Sequence, residues 1–412
     1  MRAYERFLNY ITYDTMADAI EGEKGTVPSS PGQLEFAGAL MEELSSLGVT
    51  DAKLDEKGFI YGRIPSNMDE SGNCPVIGFI AHMDTATTFP GPGNTARLIT
   101  DYDGKPVILN SEVTLDPEIF PALKAARGKD IIVTNGKTLL GGDNKAGVAE
   151  IITAIEYMMN HPEYKHGEVA FIFTPDEEIG GSTKNIDVKK STAALAYTLD
   201  GEAPGMIEYQ SFCTGAVTLE INGVSAHPAY GKDILKNALI IGNEFHSMLP
   251  AWLRPEHTEN YDGYYHLVQM EGNPQHCKMA YLIRFYTEEE YRTAKERISR
   301  TVRYLNFEYG EDTVTAQFID GRKSMTNLIE KHHELIDYAL DAIKACGITP
   351  VIPVMRGGTD GVALTEMGLP CPNLGTGSYN HHAMTEFAIV QEMDKCVELI
   401  LRLVKRFAGQ KE

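Results

Sequence analysis

Five short strings set carboxylates and imidazoles beside glycines or at the ends of apolar runs. They are Ala81-His82-Met83-Asp84, Gly141-Gly142-Asp143-Asn144-Lys145, Pro175-Asp176-Glu177-Glu178, Asp200-Gly201 and Asn380-His381-His382-Ala383-Met384-Thr385-Glu386. Carboxylate and imidazole donors with no thiolate among them suit zinc, manganese or cobalt. One catalytic zinc takes about three protein ligands and leaves a position for water, so five such strings exceed its need. Two ions ~3.5–4 Å apart that share one carboxylate fit the count better, and such a pair polarises both an attacking water and a scissile carbonyl. The neighbours Glu177 and Glu178 then divide the work: one carboxylate ligates while the other stays free to take a proton from the water. Asp84, two residues beyond His82, is placed to accept the second N–H of that imidazole and fix the ring. Each string alone also has a plain structural role: Asp143 as a helix cap, Asp200-Gly201 as a turn, Glu177-Glu178 as a solvated loop, His82 as a hydrogen-bonded core residue. What points to a site is their common position.

That position is set by the elements before them. Residues 76–80 (Val-Ile-Gly-Phe-Ile), 131–133, 169–173 (Val-Ala-Phe-Ile-Phe) and 195–199 (Leu-Ala-Tyr-Thr-Leu) are short, nearly unbroken apolar runs, as strands buried on both faces should be. Helical spacing of Ala146, Ala149, Ile152 and Ile155 between them predicts a strand–helix–strand layer. In open sheets of that kind, ligands bind at the carboxyl ends of the strands. Four of the strings follow such apolar runs, with the pair Leu139-Leu140 before 141–145, and the fifth, 380–386, sits at the start of the last helix. After about Gly205 the pattern changes. Residues 217–221 alternate, 234–248 read as a helix, and 264–270 and 279–285 read as strands joined by a turn with Gly272, Asn273 and Pro274. A helix follows from a capping box of Thr287 and Glu290, and 314–319 reads as a closing strand. The order β-α-β-β-α-β is the split, ferredoxin-like motif. A helix from about 386 to 407 ends the chain. The fold expected is an α/β catalytic domain, residues 1–207 and 325–412, its mixed sheet flanked by helices. A ferredoxin-like α+β domain, residues 208–324, is inserted into it.

Composition narrows the function classes. The 412 residues exceed the ~250–300 at which one core stops growing. With 58 acidic against 37 basic residues the net charge is −21, which repels phosphate backbones and anionic bilayers, so neither nucleic acid nor membrane is an expected partner. No apolar run reaches the ~18 residues of a transmembrane helix, and the first residues carry no secretory pattern. Six scattered cysteines, with no C-x-x-C pair, are the usage of a reducing compartment, and a cytoplasmic location is the expectation.

The strings His82-Met-Asp84, Gly142-Asp-Asn-Lys-Ala-Gly147, Pro175-Asp-Glu-Glu178, Asp200-Gly201, Ser225-Ala-His-Pro228 and His382-x-x-x-Glu386 resemble the motifs of the M20 metallopeptidase family. The similarity is greatest to its aminotripeptidase (peptidase T) branch. Thr174-Pro-Asp-Glu-Glu-Ile-Gly180, Arg254-Pro-Glu-His257, Arg356-Gly-Gly-Thr-Asp-Gly361 and Gly368-Leu-Pro-Cys-Pro-Asn373 carry that similarity, which runs from near residue 5 to near 405. The resemblance implies two Zn2+ per subunit, with Co2+ or Mn2+ as substitutes. Asp143 would bridge them, His82 and Asp200 complete the first, and Glu178 and His382 the second. Glu177 would be the general base and Asp84 the orienting carboxylate. His382 is taken over His381 for its four-residue spacing to Glu386; His381 stands where the branch has tyrosine. His227 would polarise the substrate carbonyl, from its own or the partner subunit, as an oxyanion-hole donor does. Arg284 would bind a peptide carboxylate through its fork, and Gly358 would contact substrate. A homodimer through the inserted domain and a short-peptide substrate complete the implied picture.

The chain departs from the branch at substrate-facing positions. Arg284-Phe-Tyr-Thr287 stands in place of Arg-Asp-Phe-Asp, residues 85–93 lack an asparagine-rich stretch, and 375–382 lack a phenylalanine. Substrate length is read by pocket walls, so these changes bear on specificity and not on hydrolysis. The expected activity is release of the N-terminal residue from short peptides, tripeptides foremost. The alternatives are an amidohydrolase of N-acyl or modified amino acids and a non-catalytic metal-binding homologue. An unligated glutamate beside a full ligand set argues against the last.

Overall fold

A computed structural model describes residues 1–68, 74–91 and 96–410. Pro92 and Gly93, the end of the 85–93 stretch, lie outside the described residues. Two compact units emerge: one of Met1–Tyr209, Leu328–Ile352 and Thr359–Glu412, the other of Gln210–Asn327 and Pro353–Gly358. The short segment Pro353–Gly358 groups with the second unit because Val354 and Met355 pair in parallel with Gln210 and Ser211.

The first unit is built on a seven-stranded mixed sheet. Its strands run in the order Ala52–Leu54, Ile60–Ile64, Val169–Thr174, Ile77–His82, Leu195–Gly201, Asn373–Gly375, Ile207–Glu208. The four strands from Val169–Thr174 to Asn373–Gly375 are mutually parallel, so their carboxyl ends share one edge; His82 pairs with Thr174. Every residue of Ile77–His82 and Val169–Thr174 is buried, which explains the unbroken apolar runs. One face is covered by the helices Ala3–Tyr10, Gly142–Asn160 and Val390–Phe407, whose Phe7, Ile152 and Leu403 join Phe79, Phe171 and Tyr197 in one core. A smaller core on the other face packs Leu364 of the helix Asp360–Glu366 against Ile80 and Ile172.

Three expectations need correction. Residues 131–133 do form a strand, but in a separate four-stranded antiparallel sheet with Arg97–Ile99, Phe387–Ile389 and Ser378–Tyr379. The string 380–386 is the connection between the last two of these strands, and the final helix begins only at Val390. Leu139 and Leu140 end no strand: Asp143 stands at the N-terminus of the helix Gly142–Asn160, after Gly141 at φ 81°. Short apolar runs look alike whichever sheet takes them, or none, which is why periodicity misassigns 131–133 and Leu139-Leu140; 380–386 is too short to show a helical period.

The second unit carries a four-stranded antiparallel sheet, in the order Tyr264–Asn273, His276–Phe285, Cys213–Asn222, Val314–Asp320, with the helices Ala238–Met248 and Glu288–Tyr309. This is the ferredoxin-like arrangement, and the Thr287/Glu290 capping box is formed. The first helix starts at Ala238 and not near 234, because the Asn237 side chain caps the backbone N–H of Leu239.

Inside the first unit, Glu150 lies in the middle of Gly142–Asn160 with both carboxylate oxygens buried and without a hydrogen-bond partner among the described residues. Burial, with Asp394 nearby, pushes its carboxyl well above the usual range. The folded chain therefore keeps this proton at pH values where the unfolded chain has lost it, so stability falls as pH rises above the unfolded value near 4.5. Glu150→Gln should raise Tm by a few degrees at pH 8, with the gain shrinking toward zero near pH 5. Thermal unfolding of both proteins across that range checks this, and a pH-independent difference would refute it.

Candidate metal centre

The strand Ile77–His82 delivers His82 at its carboxyl end, 2% exposed, with Nε2 2.8 Å from Asp143 Oδ1 and 3.3 Å from Asp200 Oδ1. Its Nδ1 faces the Asp84 backbone carbonyl at 3.1 Å and the Asp84 carboxylate at 3.3 Å, which orients the ring. Asp84 is fully buried and accepts the backbone N–H of Glu177 at 3.0 Å and of Glu178 at 3.1 Å. One carboxylate thus ties the imidazole to the turn that carries both glutamates.

Asp143 is placed by its backbone. Glu386, 1% exposed, accepts the N–H groups of Leu140 (2.7 Å), Gly141 (2.9 Å) and Asp143 (3.0 Å). These include donors a helix start leaves unpaired. A side chain at Gly142 would collide with Ser378 at 2.8 Å and with Glu386 Oε1 at 2.9 Å, so glycine is required for this close approach. Asp143 Oδ2 then lies 3.1 Å from His382 Nε2, and His382 Nε2 lies 3.0 Å from Glu178 Oε2. Asp200 is the next-to-last residue of the strand Leu195–Gly201, its N–H donated to Asn373 Oδ1 at 3.0 Å. The outcome is two donor groups, His82–Asp143–Asp200 and Asp143–Glu178–His382, with ligand atoms in each within 4.8 Å of one another and Asp143 common to both.

The electrostatics of this cluster speak for cations. Burial works against ionised Asp143, yet His381, His382 and His82 hold its carboxyl well below the usual range. Hydrogen bonds to Asp143 and Glu178 raise His382 to about 10, while burial and the Asp143 charge push Asp200 up to about 7. Burial alone would lower His82, but Asp200, Asp143 and Asp84 carry it well above the imidazole value. Packed carboxylates here draw positive charge from protons on the imidazoles, and a divalent cation supplies the same charge in their place. Glu178 Oε1 is buried with no hydrogen-bond partner among the described residues, a donor atom left over for a metal. The residues present therefore fit a pair of metal ions.

Glu177 adjoins this cluster. Burial, with the charge of Asp360, raises its carboxyl well above the usual range. His381, which the spacing argument set aside, faces Asp143 from 3.6 Å and bonds Ser378 Oγ at 2.9 Å through Nε2. Glu386, used in the sequence only as a spacing mark, proves to organise the backbone under Asp143; a carboxylate just before a buried strand was the available signal.

The three residues expected to face substrate belong to the second unit. His227 is exposed, between the strand Cys213–Asn222 and the helix Ala238–Met248, its Nδ1 accepting the Ala229 N–H at 3.3 Å. Arg284 donates to the carbonyls of Gly215 (3.2 Å) and Ile283 (3.1 Å), with no carboxylate in ion-pair reach among the described residues. Gly358 is exposed, and an added Cβ there would touch nothing within 4 Å. In the same segment Arg356 donates to Thr258 and to the Asp262 carbonyl.

Comparison with known proteins follows this geometry. The model of peptidase family M20/M25/M40 matches residues 135–406. A peptidase T of Caldanaerobacter subterraneus is 43% identical over 408 residues, 98% of both chains. The crystal structure of the aminopeptidase PepT from Bacillus cereus superposes with a TM-score of 0.77 at 22% identity, covering 99% of this chain and 98% of that one. A dinuclear metal-binding peptidase of the M20 family from Bacillus subtilis does so at 0.65 and 13%, covering 99% of each. At these identities the two structures speak for the fold.

The geometry predicts metal stoichiometry. Stripped protein titrated with Zn2+ should take up two ions per chain, with affinity falling from pH 8 to pH 6 as protons compete for the imidazoles and Asp200. Asp200→Ala should retain one ion and Asp143→Ala neither; two ions on Asp143→Ala, read by calorimetry and elemental analysis, would refute a shared ligand.

Proposed function

This chain belongs to peptidase family M20/M25/M40 and is a metallopeptidase; we propose that it is a two-metal aminopeptidase releasing the N-terminal residue of short peptides, tripeptides foremost. One observation carries the reading: two donor groups share Asp143, and a further carboxylate, Glu177, stands next in the chain to the ligand Glu178. His82 and Asp200 would hold one ion, Glu178 and His382 the other, with zinc as the natural choice and cobalt or manganese as substitutes. When bound, the ions supply Lewis acidity toward the scissile carbonyl and the attacking water.

The protein's own groups do the rest. Glu177 accepts the proton of the attacking water and returns it to the leaving amine, a role suited to a carboxylate whose burial makes it a better base. Asp84 keeps that side chain in reach by holding its backbone N–H. His227 would donate to the carbonyl oxygen as charge develops. Arg284, half-buried and without a carboxylate partner among the described residues, would take the peptide's terminal carboxylate. Support for an unblocked peptide substrate comes from the peptidase T relative, aligned along nearly the whole chain.

The reading also has residues 208–324 joining two copies into a homodimer, in a reducing compartment such as the cytoplasm. The edge strand Tyr264–Asn273 supports the dimer, since its outer side is unpaired in the sheet and Val268 is 50% exposed. Sedimentation should give a dimer, and a monomer at micromolar concentration would count against it.

Catalysis is tested by two assays on zinc-loaded protein. Unblocked tripeptides should be cleaved faster than N-acyl amino acids; the reverse order would assign an amidohydrolase. Glu177→Ala should lose at least ~10²–10⁴ in kcat at unchanged metal content, and surviving turnover would remove the general base from this residue.

A further inference from the structure

The turn carrying Glu177 and Glu178 is short and tightly wound. It leaves the strand at Thr174, passes through Asp176 at φ 56°, makes the single 3₁₀ turn Glu177–Ile179, and leaves through Gly180 at φ 66°. Its backbone closes on itself, with Gly181 N–H donated to the Asp176 carbonyl at 2.7 Å. Two carboxylates hold its middle. Asp84 accepts the N–H groups of Glu177 and Glu178, and Asp176 itself accepts from the Ser29 N–H at 2.7 Å and Gln33 Nε2 at 2.7 Å. Neither of them ties the end of the turn to its beginning.

A third carboxylate does. Asp360, 4% exposed at the first residue of the helix Asp360–Glu366, accepts the Thr174 hydroxyl on Oδ2 at 2.8 Å and the Ser182 hydroxyl on Oδ1. Thr174 lies three residues before Glu177 and Ser182 four after Glu178, and both are buried. The bonds span 186 and 178 residues of sequence, so one side chain from the far end of the chain clamps both ends of the turn. In a buried setting each hydroxyl left without its acceptor costs free energy, so the clamp and the turn form together.

We propose that Asp360 is a positioning residue: by bridging Thr174 and Ser182 it fixes the turn so that Glu178 is aimed at its metal ion and Glu177 at the attacking water. This rests on the metallopeptidase reading given above. Asp360 then acts on one side of the metal pair only, because His82 and Asp200 are carried by other strands. A purely structural aspartate would weaken the whole unit instead.

The test is a Co2+ and Zn2+ titration of the chelated full-length protein, followed by kinetics at saturating Zn2+. In Asp360→Ala one of the two binding events should weaken about 10–100-fold, the usual range for supports behind a metal ligand, with the other within about threefold. kcat should fall by a similar factor while KM stays within about threefold. Asp360→Asn, which keeps one acceptor oxygen, should lie between wild type and Asp360→Ala. Thr174→Val and Ser182→Ala each remove one tie, and serve if Asp360→Ala does not fold. The proposal is overturned if all these variants bind both ions as wild type does, or if both events weaken alike alongside a lowered Tm. Because the titration uses no substrate, it separates two failures. A wild type that binds the pair but cleaves no tripeptide overturns the substrate reading alone, and one that binds no pair overturns both.

Discussion

The Asp143 carboxylate, 12% exposed and set among three imidazoles, is the constraint around which the first unit is organised. Taking a charge out of water is costly unless opposite charge and hydrogen bonds replace what water supplied. Here the replacement comes from every direction. His82 arrives on a strand, His381 and His382 on the connection between two strands of the second sheet, and the backbone of Asp143 is held by Glu386. Carboxylates in turn surround the imidazoles, an arrangement whose charge a pair of divalent ions would balance.

The parallel sheet makes that convergence possible. Parallel strands bring their carboxyl ends to one edge, and the residues just past those ends are free to take irregular backbone because no ladder bond constrains them. Glu177 and Glu178 use this freedom, while His82 and Asp200 stand at the last and next-to-last positions of their own strands. Their support is mostly carboxylate to backbone N–H: Asp84 to the glutamate turn, Glu386 to the helix start. Charge-assisted bonds of this kind are short and directional, so they fix positions that loops would otherwise leave loose.

Much of this was legible before any coordinates. The apolar runs 76–80, 169–173 and 195–199 needed burial on both faces, and the alternation of 217–221 needed a half-exposed sheet. Both patterns became what they predicted. The misreadings share one cause. Residues 131–133, the pair Leu139-Leu140 and the string 380–386 are too short for a period to show, and part of their environment comes from partners more than 200 residues away, such as Phe387 for Val133. The supports at Glu386 and Asp360 escaped for a related reason: a buried acceptor of backbone or hydroxyl donors has no sequence period, only neighbours.

What the amino-acid sequence determined by itself was the kind of chemistry: oxygen and nitrogen donors without thiolate, with Glu177 beside the proposed ligand Glu178. It also set the two-part plan, because hydrophobic period and turn residues are local properties of the chain. Which atoms face which was decided by the tertiary structure alone: Asp143 shared between two donor groups, His382 beside Glu178, and Asp360 across the ends of the glutamate turn. Such distances depend on how strands far apart in sequence are laid side by side, and local spacing cannot encode that.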